Sequence, residues 1–329
     1  RWLTVLIPWL WFVIRDLHPI MDYAALALPV IGAAALLLIA HFVLAKRSLL
    51  WVAIGASTSI FLLATIVGPM RPTDRPDPVA PVRMTSVNLG GQWFSFNDLG
   101  YLHQWMEPNL LVGSELTQAH DEEMRKRFPH AISDIVPLSR TQANRDGLGP
   151  QTDDYRAFGF PSIGVYSDHP LVRLSDPLAG TIDGGLPGIR ARVQLPGGDV
   201  VLYALHVPRP GSGDGPYDLR ITDQSRMIDE LADAIESEDL PVIVLGDLNL
   251  VDRSESYRDL RGTGLIDAMR EEQFADVTRH GDFLYSLLLA RIDHLLISKE
   301  LCVTNALTDH LAYSDHRAVR ADIGFCADN

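Results

Sequence analysis

The sequence predicts an α/β fold in which two packed mixed sheets are flanked by helices, behind an apolar N-terminal region. Apolar runs of strand length recur after residue 82, and several are separated by turn residues rather than by helices. The Pro-Gly-Gly-Asp segment at residues 196–199 joins two of these runs as a β-hairpin, so part of the sheet system is antiparallel. Helical periodicity is less frequent, which favours packed sheets with helices outside.

The apolar runs predict strands over residues 84–89, 110–113, 132–137, 162–166, 189–195, 200–206, 242–245, 292–298 and 318–323. Apolar residues at helical spacing predict a helix over residues 222–237, and a charged surface helix is predicted over residues 117–128. Residues 82–329 are long enough for one large core. Residues 71–81, which are dense in proline, predict a linker before this domain that holds neither a helix nor a central strand.

Residues 1–70 are predicted to form a membrane anchor with two to three transmembrane helices. Residues 24–44 and 49–67 each hold about the 20 apolar residues that cross a hydrocarbon core. A third apolar stretch at residues 2–14 is shorter, and because the chain begins at Arg1 rather than Met we interpret it as a clipped segment. A buried helical hairpin of a soluble protein is the alternative, although neither long stretch has a polar stripe.

The basic residues around the apolar stretches bear on membrane orientation. Lys46 and Arg47 lie in the short turn between the two long stretches, which indicates a cytoplasmic turn and therefore an extracytoplasmic catalytic domain. Arg15, Arg71 and Arg75 oppose this assignment, because they would then lie outside the cytoplasm. The prediction is a multi-pass membrane protein whose large domain is extracytoplasmic.

Two bulk features bear on the environment and partners of the chain. Cys302 and Cys326 are compatible with a disulfide in an oxidising compartment and equally with two unpaired thiols. The formal net charge of −14 disfavours nucleic acid as a partner, since such binding depends largely on lysine and arginine contacts to phosphate.

Polar side chains cluster at the ends of several predicted strands. Asn88, Glu115 and His206 each end an apolar run, and Asp247 and Asn249 follow residues 241–246. Alternate residues of an extended segment point the same way, so this carboxylate and amide can face one centre, with the preceding glycine permitting close approach. An Asx turn is the alternative for the last pair, and turn or helix capping is the alternative for the asparagine and the glutamate.

Asp293 lies in an otherwise apolar strand, and a buried carboxylate needs a partner. His316 is the candidate, because an aspartate bonded to one imidazole nitrogen fixes the tautomer and leaves the other nitrogen for proton transfer or a phosphoryl oxygen. Asp315 would then point away from Asp293, toward a metal ion. His294 should face the other side of its strand, so we interpret it as structural.

The order of these motifs, Asn88, Glu115, His206, Asp-Leu-Asn at 247–249, Arg-Ile-Asp-His at 291–294 and Ser-Asp-His at 314–316, resembles the endonuclease/exonuclease/phosphatase superfamily, which has the DNase I-like fold. The resemblance covers residues 82 to about 325. It implies a four-layered α/β sandwich and the cleavage of phosphoester bonds with Mg²⁺, or with Mn²⁺ or Ca²⁺ in its place.

The resemblance also implies roles for the matching residues. Glu115 corresponds to the family's metal-binding glutamate, Asn88 to an asparagine that supports the metal or phosphate, and Asp315 to an aspartate near the metal.

The remaining matches are catalytic. Asp247 would orient or activate the attacking water, Asn249 would bond phosphoryl oxygens, and His206 would be a second active-site histidine that protonates the leaving group. His316, held by Asp293, would act as a base or stabilise phosphate.

The substrate is less well defined by the sequence. Arg190 and Arg209 are the candidates for phosphate contacts, with a solvated strand edge as the alternative for the former. A membrane-anchored phosphodiesterase or phosphatase acting on a lipid head group is the first expectation, with an anchored extracytoplasmic nuclease for DNA or RNA as the alternative. A non-catalytic membrane module of the same fold is disfavoured, because none of the matching catalytic residues has been replaced. No protein partner is inferred.

Overall fold

Two six-stranded mixed sheets form the centre of the protein in the computed structural model. The structure describes residues 25–45, 75–89, 106–135, 162–175, 188–207, 221–272, 277–279, 290–311 and 314–327, with a few isolated residues between 53 and 60. The strands are β1 (Pro78–Asn88), β2 (Leu110–Ser114), β3 (His130–Asp134), β4 (Ile163–Ser167), β5 (Leu171–Arg173), β6 (Gly188–Leu195), β7 (Gly198–His206), β8 (Val242–Asp247), β9 (Ile266–Asp267), β10 (Asp293–Ile297), β11 (Leu301–His310) and β12 (Arg317–Cys326). The described helices are α1 (Leu28–Leu44), α2 (Gln118–Arg127), α3 (Ile221–Glu236), α4 (Glu255–Gly262) and α5 (Ala268–Glu272).

The first sheet has the strand order β11-β12-β1-β2-β4-β3, and the second has the order β5-β6-β7-β8-β10-β9. Each contains one parallel pair, β1 with β2 and β7 with β8, among antiparallel neighbours. The predicted hairpin is present, with Leu195 paired to Gly198 between β6 and β7. The predicted α/β sandwich of two mixed sheets with flanking helices is confirmed.

The alternation of side chains along the strands divides the core into three clusters. Leu202 and Ala204 of β7 belong to the cluster between the two sheets, together with Leu245 of β8. The intervening residues of the same strands, Tyr203 and Val244 among them, pack on the outer face of the second sheet with residues of α3 and α4. A smaller cluster covers the outer face of the first sheet with α2. Central strands such as β7 and β8 are therefore buried on both sides, which explains why their runs are continuously apolar.

The predicted linker extends too far toward the C-terminus, because β1 begins at Pro78. Residues 78 and 79 pair with β12, and a register shift between Val79 and Val82 carries the strand past Pro81. The pairing with β2 starts only at Met84. The two prolines therefore lie where the strand has a partner on one side only, which is where a residue without an N–H is tolerated.

Within the apolar stretch at residues 24–44, the structure contains the helix α1. Leu36 and Leu37 of this helix are exposed, at 57% and 74%. Among the described residues, no helix is both long enough and apolar enough to cross a membrane. Most of residues 49–67 and all of residues 2–14 lie outside the described residues. Cys302 and Cys326 form a disulfide between β11 and β12, so of the two alternatives left by the sequence the structure contains the bonded one.

Candidate active site

Three neighbouring strands of the second sheet place their polar end residues in one row. His206 of β7 pairs in register with Asp247 of β8, and Asp247 pairs with Asp293 of β10. All three side chains point to the side between the sheets, as the alternation with core residues such as Leu245 and Leu295 requires. They are nearly buried, with exposures of 6%, 1% and 1% in strand order.

Asn88, at the end of β1, links the first sheet to this row of strand-end residues in the second sheet. Its amide nitrogen donates to Glu115 Oε1 and to Asp247 Oδ2, each at 3.0 Å. Glu115 lies directly after β2, the parallel neighbour of β1, so the two residues come from adjacent strand ends. His206 Nε2 lies 3.6 Å from Glu115 Oε1 and 4.0 Å from Asp247 Oδ2. The structure therefore brings together the four residues that the sequence placed at separate strand ends.

The predicted pairing of Asp293 with His316 is confirmed. His316 Nδ1 bonds Asp293 Oδ2 at 2.9 Å and lies 3.8 Å from Asp247 Oδ2. The ring is held further because the backbone N–H of His316 donates to Ser314 Oγ, whose hydroxyl donates to the carbonyl oxygen of Asn88. Thr278 Oγ1 accepts from the backbone N–H of Asp293 at 3.1 Å. The histidine thus has a fixed orientation between the two sheets.

The pKa values of Asp247 and His316 are both raised, for different reasons. Burial and the carboxylate of Asp293 raise the pKa of Asp247, against the effect of the two histidines. Burial alone would lower the pKa of His316, but the carboxylates of Asp293 and Asp247 outweigh it and raise the pKa to about 10. The raised pKa favours the protonated form of the His316 imidazole, in which Nε2 is a hydrogen-bond donor.

Gly246 permits the close approach of β7 to β8. Its φ is +147°, and a Cβ at this position would lie 1.9 Å from the carbonyl oxygen of Leu205. No other residue type fits here without displacing β7, which carries His206 one residue further on.

Asn249 reaches the site by a different route from the one predicted. The chain leaves the extended conformation after Asp247, and Asn249 has a φ of 49°. Its N–H donates to Asp247 Oδ1 at 2.8 Å, which is the Asx turn that the sequence left as the alternative. Its side-chain amide donates to the carbonyl oxygen of Val207 at 2.8 Å. The aspartate and the amide are adjacent because of this turn and not because of strand alternation.

Asp315, which the sequence predicts to lie near a metal, pairs with an arginine beside His316. Its side chain is 43% exposed, and its Oδ2 accepts from Arg279 Nη2 at 2.6 Å. Arg279 Nη1 in turn lies 3.2 Å from His316 Nε2. Arg279 was missed at the sequence level, since an arginine in a polar segment without a strand pattern carries no local signal. It is brought to the site by an isolated backbone bridge with His316.

The prediction that Arg190 contacts substrate phosphate is wrong. Arg190 lies on the outer face of β6, because Ile189 and Ala191 on either side of it belong to the cluster between the sheets. Its guanidinium makes two bonds to Glu238, at 2.7 and 2.8 Å, which hold it away from the site. Arg209, the other candidate for a phosphate contact, lies outside the described residues.

His294 has the structural position expected of it. It is fully buried on the opposite side of β10 from Asp293, its Nε2 bonds the carbonyl oxygen of Leu250 at 2.7 Å, and its ring packs on Tyr257. Burial and the nearby Arg291 lower its pKa to about 3, so it is neutral at physiological pH.

The donor set of the site suits a hard divalent cation. Asp247, Asp293 and His316 offer atoms within 4.8 Å of one another, and Glu115 joins Asp247 through their shared bond from Asn88. Buried carboxylates this close are stabilised by added positive charge, and oxygen ligands are those that Mg²⁺ and Mn²⁺ prefer. Glu115 and Asp247 are the residues placed to hold such an ion.

Comparison with known proteins agrees with this geometry. Residues 133–316 match the model of the Endonuclease/Exonuclease/phosphatase family, so the chain belongs to that family. A search of curated proteins returned no significant match.

Several solved structures share the fold. An endonuclease/exonuclease/phosphatase from Beutenbergia cavernae matches with a TM-score of 0.54 and 17% identity over 76% of this chain and 72% of that one. The 3′ phosphatase NExo from Neisseria, bound to a product DNA hairpin, matches with a TM-score of 0.52 and 14% identity over 73% and 98% of the two chains. A humanized D. rerio TDP2 matches with a TM-score of 0.51 and 14% identity over 75% and 100%. At these identities the likeness concerns the fold and not the substrate.

Proposed function

We propose that this protein is a divalent-metal-dependent phosphoester hydrolase, a phosphodiesterase or phosphatase, that is anchored in a membrane with its catalytic domain on the extracytoplasmic side. One observation carries the catalytic part of the proposal. The structure joins Asn88, Glu115 and His206 from separate strand ends to the Asp247, Asp293 and His316 cluster, in a chain of the Endonuclease/Exonuclease/phosphatase family.

We place the phosphoryl group beside His316. Arg279 and the protonated form of His316 are donors whose nitrogens Nη1 and Nε2 lie 3.2 Å apart. Two neighbouring donors are stabilised by an anionic oxygen that accepts from both, which a phosphoester supplies. Charge that develops on that oxygen during the reaction strengthens both hydrogen bonds.

Asp247 is suited to take a proton from the attacking water. The raised pKa of Asp247 makes this carboxylate a stronger base than a free aspartate. Asn88 holds Oδ2 of this carboxylate, and the N–H of Asn249 holds Oδ1, so the group cannot rotate. A bound Mg²⁺ or Mn²⁺ would neutralise charge on the phosphoryl oxygens. His206, close to both Glu115 and Asp247, is the candidate acid for the leaving group.

The membrane part of the proposal is supported by residues 24–44 and 49–67, which are mostly apolar and contain no Asp, Glu, Lys or Arg. Two further observations favour the extracytoplasmic side. The Lys46-Arg47 turn lies between the stretches, and the Cys302–Cys326 disulfide is of a kind that persists in oxidising compartments.

The test is a substrate panel with the full chain purified in detergent, comparing bis(4-nitrophenyl) phosphate, plasmid DNA, RNA and phospholipid vesicles. We expect EDTA to abolish hydrolysis and Mg²⁺ or Mn²⁺ to restore it. His316→Ala and Asp247→Asn should each lower kcat by at least about 100-fold with the circular dichroism spectrum unchanged. Activity that persists in EDTA would reject metal dependence. Hydrolysis confined to DNA or RNA would favour the nuclease alternative, and a chain inert on every substrate would favour the non-catalytic module.

A further inference from the structure

Arg253 connects the loop after Asp247 to residues 25 and 26, which lie just before α1. This side chain is nearly buried, and its Nε donates to the carbonyl oxygen of Ala25 at 2.6 Å. Its Nη2 donates to the carbonyl oxygen of Leu26 at 3.0 Å. The catalytic domain therefore contacts the apolar N-terminal region at a residue of its own active-site loop.

The sequence of the helix explains why a carbonyl is available there. In an α-helix the carbonyl of residue 25 accepts from the N–H of residue 29, but Pro29 has no N–H. The carbonyl of Ala25 therefore lacks its helical donor, and Arg253 supplies one. Ala25 is buried just before the helix, and the helix itself is buried at Leu28 and exposed at Leu36 and Leu37.

Arg253 shares its nearby acid with other arginines, and its guanidinium bonds backbone carbonyls. The nearby acid Asp252 lies 3.7 Å from its Nη1 and also pairs with Arg270 and Arg291. Burial lowers the pKa of Arg253 to about 10, which leaves the guanidinium charged at neutral pH. A buried cation needs acceptors, and the two helix carbonyls provide them.

A second contact holds the domain at its other end. Arg75, at the end of the linker, donates to the carbonyl oxygens of Lys299 and Leu301 at 2.6 and 2.8 Å. Lys299 follows the end of β10 opposite to Asp293, so this contact lies at the far end of the sheet from the site. Arg75 is thereby fixed to the domain, so the linker is held against the domain where it ends.

We propose that the start of α1 is a docking element that holds the active-site loop next to the bilayer, so that the enzyme selects the phosphodiester of glycerophospholipid head groups over soluble phosphoesters. This inference rests on the proposed function. Such a lipid carries its phosphodiester at the bilayer surface, and the net charge of −14 disfavours polyanionic nucleic acid. In the reaction the oxygen of water forms a bond to phosphorus as one P–O ester bond breaks. The departing alkoxide takes one proton, and the phosphomonoester product and a second proton are released.

The test compares two tryptophan substitutions in the full chain reconstituted in vesicles, one just before α1 and one within it. Ala25→Trp introduces a bulky side chain at the buried contact with the catalytic domain, and Ala40→Trp makes the same change at an exposed position. Activity is measured on vesicles of phosphatidylcholine, phosphatidylethanolamine and phosphatidylglycerol, and on bis(4-nitrophenyl) phosphate. Arg253→Met removes the same contact from the other side, while Asp252 keeps its two other arginine partners.

We expect Ala25→Trp and Arg253→Met to lower hydrolysis of vesicle lipid at least tenfold with the rate on the soluble ester unchanged, and Ala40→Trp to alter neither. The unchanged soluble rate also shows that the variants are folded. Equal losses on both substrates, or no loss on lipid, would overturn the docking inference. A wild-type chain that cleaves DNA or the soluble ester but none of the lipids would overturn it while leaving the hydrolase function intact. A wild-type chain inert on all substrates with Mg²⁺ would instead reject the proposed function.

Discussion

At the scale of single residues, His316 lies between groups of opposite charge. Asp293 holds its Nδ1 and Arg279 faces its Nε2. The aspartate stabilises the protonated ring, and the arginine creates a strongly positive pair of donors on the other side. The free energy cost of placing these two cations side by side is reduced by Asp315, which bonds Arg279. Asp315 is therefore explained as a counter-ion for the arginine.

Arg279→Gln tests this arrangement. The substitution keeps a hydrogen-bond donor of shorter reach but removes the charge, so we expect kcat/KM for a phosphodiester to fall roughly 100-fold while the thermal midpoint changes little. Arg173→Gln is the control, because Arg173 forms an exposed ion pair with Asp134 at the surface of β5. A loss of activity in the control as large as in Arg279→Gln would contradict a specific role.

His120 couples the stability of α2 to pH. Its Nδ1 accepts from the N–H of Thr117 at 3.1 Å, and its own N–H donates to Thr117 Oγ1, so it occupies the capping-box position usually held by Glu or Gln. Burial lowers its pKa from 6.5 to about 4. The unfolded chain therefore binds this proton at a higher pH than the folded chain. The stability that this histidine contributes is present above pH 6.5 and is lost as the pH falls toward 4.

His120→Gln should remove this sensitivity while keeping the cap. Between pH 7 and pH 4 we expect the free energy of unfolding of the wild type to fall by up to about 3 kcal/mol more than that of the variant. Urea denaturation at a series of pH values measures it. Parallel pH dependences in the two proteins would show that His120 is not the titrating group.

At the scale of elements, the site depends on how closely the parallel strands β7 and β8 approach. Gly246→Ala would place a Cβ within 1.9 Å of the Leu205 carbonyl oxygen at a φ that L residues rarely adopt. We expect a loss of at least about 3 kcal/mol in the free energy of unfolding and a lower kcat, because His206 moves relative to Asp247.

Gly262→Ala at the end of α4 is the matched control, since nothing lies within 4 Å of a Cβ there. It should change stability by less than about 0.5 kcal/mol. Denaturation midpoints of both variants provide the comparison, and equal midpoints would refute the close-approach explanation.

The elements differ in how well the sequence predicts them. Strands such as β7 and β8 are apolar on both faces, so their runs stand out, and the residues at their ends identify much of the site. β11 carries Thr304 and Asn305 at a bulge in its pairing with β12, which interrupts any apolar pattern, and it was missed. The short strands β5 and β9 and the helices α4 and α5 were also missed, because their register comes from tertiary contacts. Arg279 belongs with them, since only folding brings it to His316.

The prediction that Arg190 contacts phosphate is wrong for a reason that lies in the alternation of residues along β6. Arg190 alternates along β6 with Ile189, Ala191 and Val193, whose apolar side chains belong to the space between the sheets. Arg190 must therefore lie on the outer face, away from the residues that end strands on the inner side.

At the scale of the whole molecule, the disulfide and the Arg75 contact lie at one end of the domain, and the Arg253 contact lies elsewhere. Cys302–Cys326 joins β11 to β12 at the end of the sheets where Arg75 binds Lys299 and Leu301. Arg253 binds the start of α1 near the other end. Because of the Arg253 contact, the start of α1 and the catalytic domain lie on the same side of any membrane that the helix enters.

This arrangement makes a prediction about topology that the disulfide allows to be tested. Because both native cysteines are bonded, an introduced cysteine is the reactive thiol in the chain. Lys126→Cys lies on the exposed side of α2 in the catalytic domain, and Ser48→Cys lies in the basic segment between the two long apolar stretches. In intact cells a membrane-impermeant maleimide should label Lys126→Cys, whereas Ser48→Cys should be labelled only after lysis. The reverse pattern would place the catalytic domain in the cytoplasm. Labelling of both positions in intact cells would show that the two stretches do not form a hairpin across the bilayer, and the docking of Arg253 on α1 would then have to serve a protein outside the membrane.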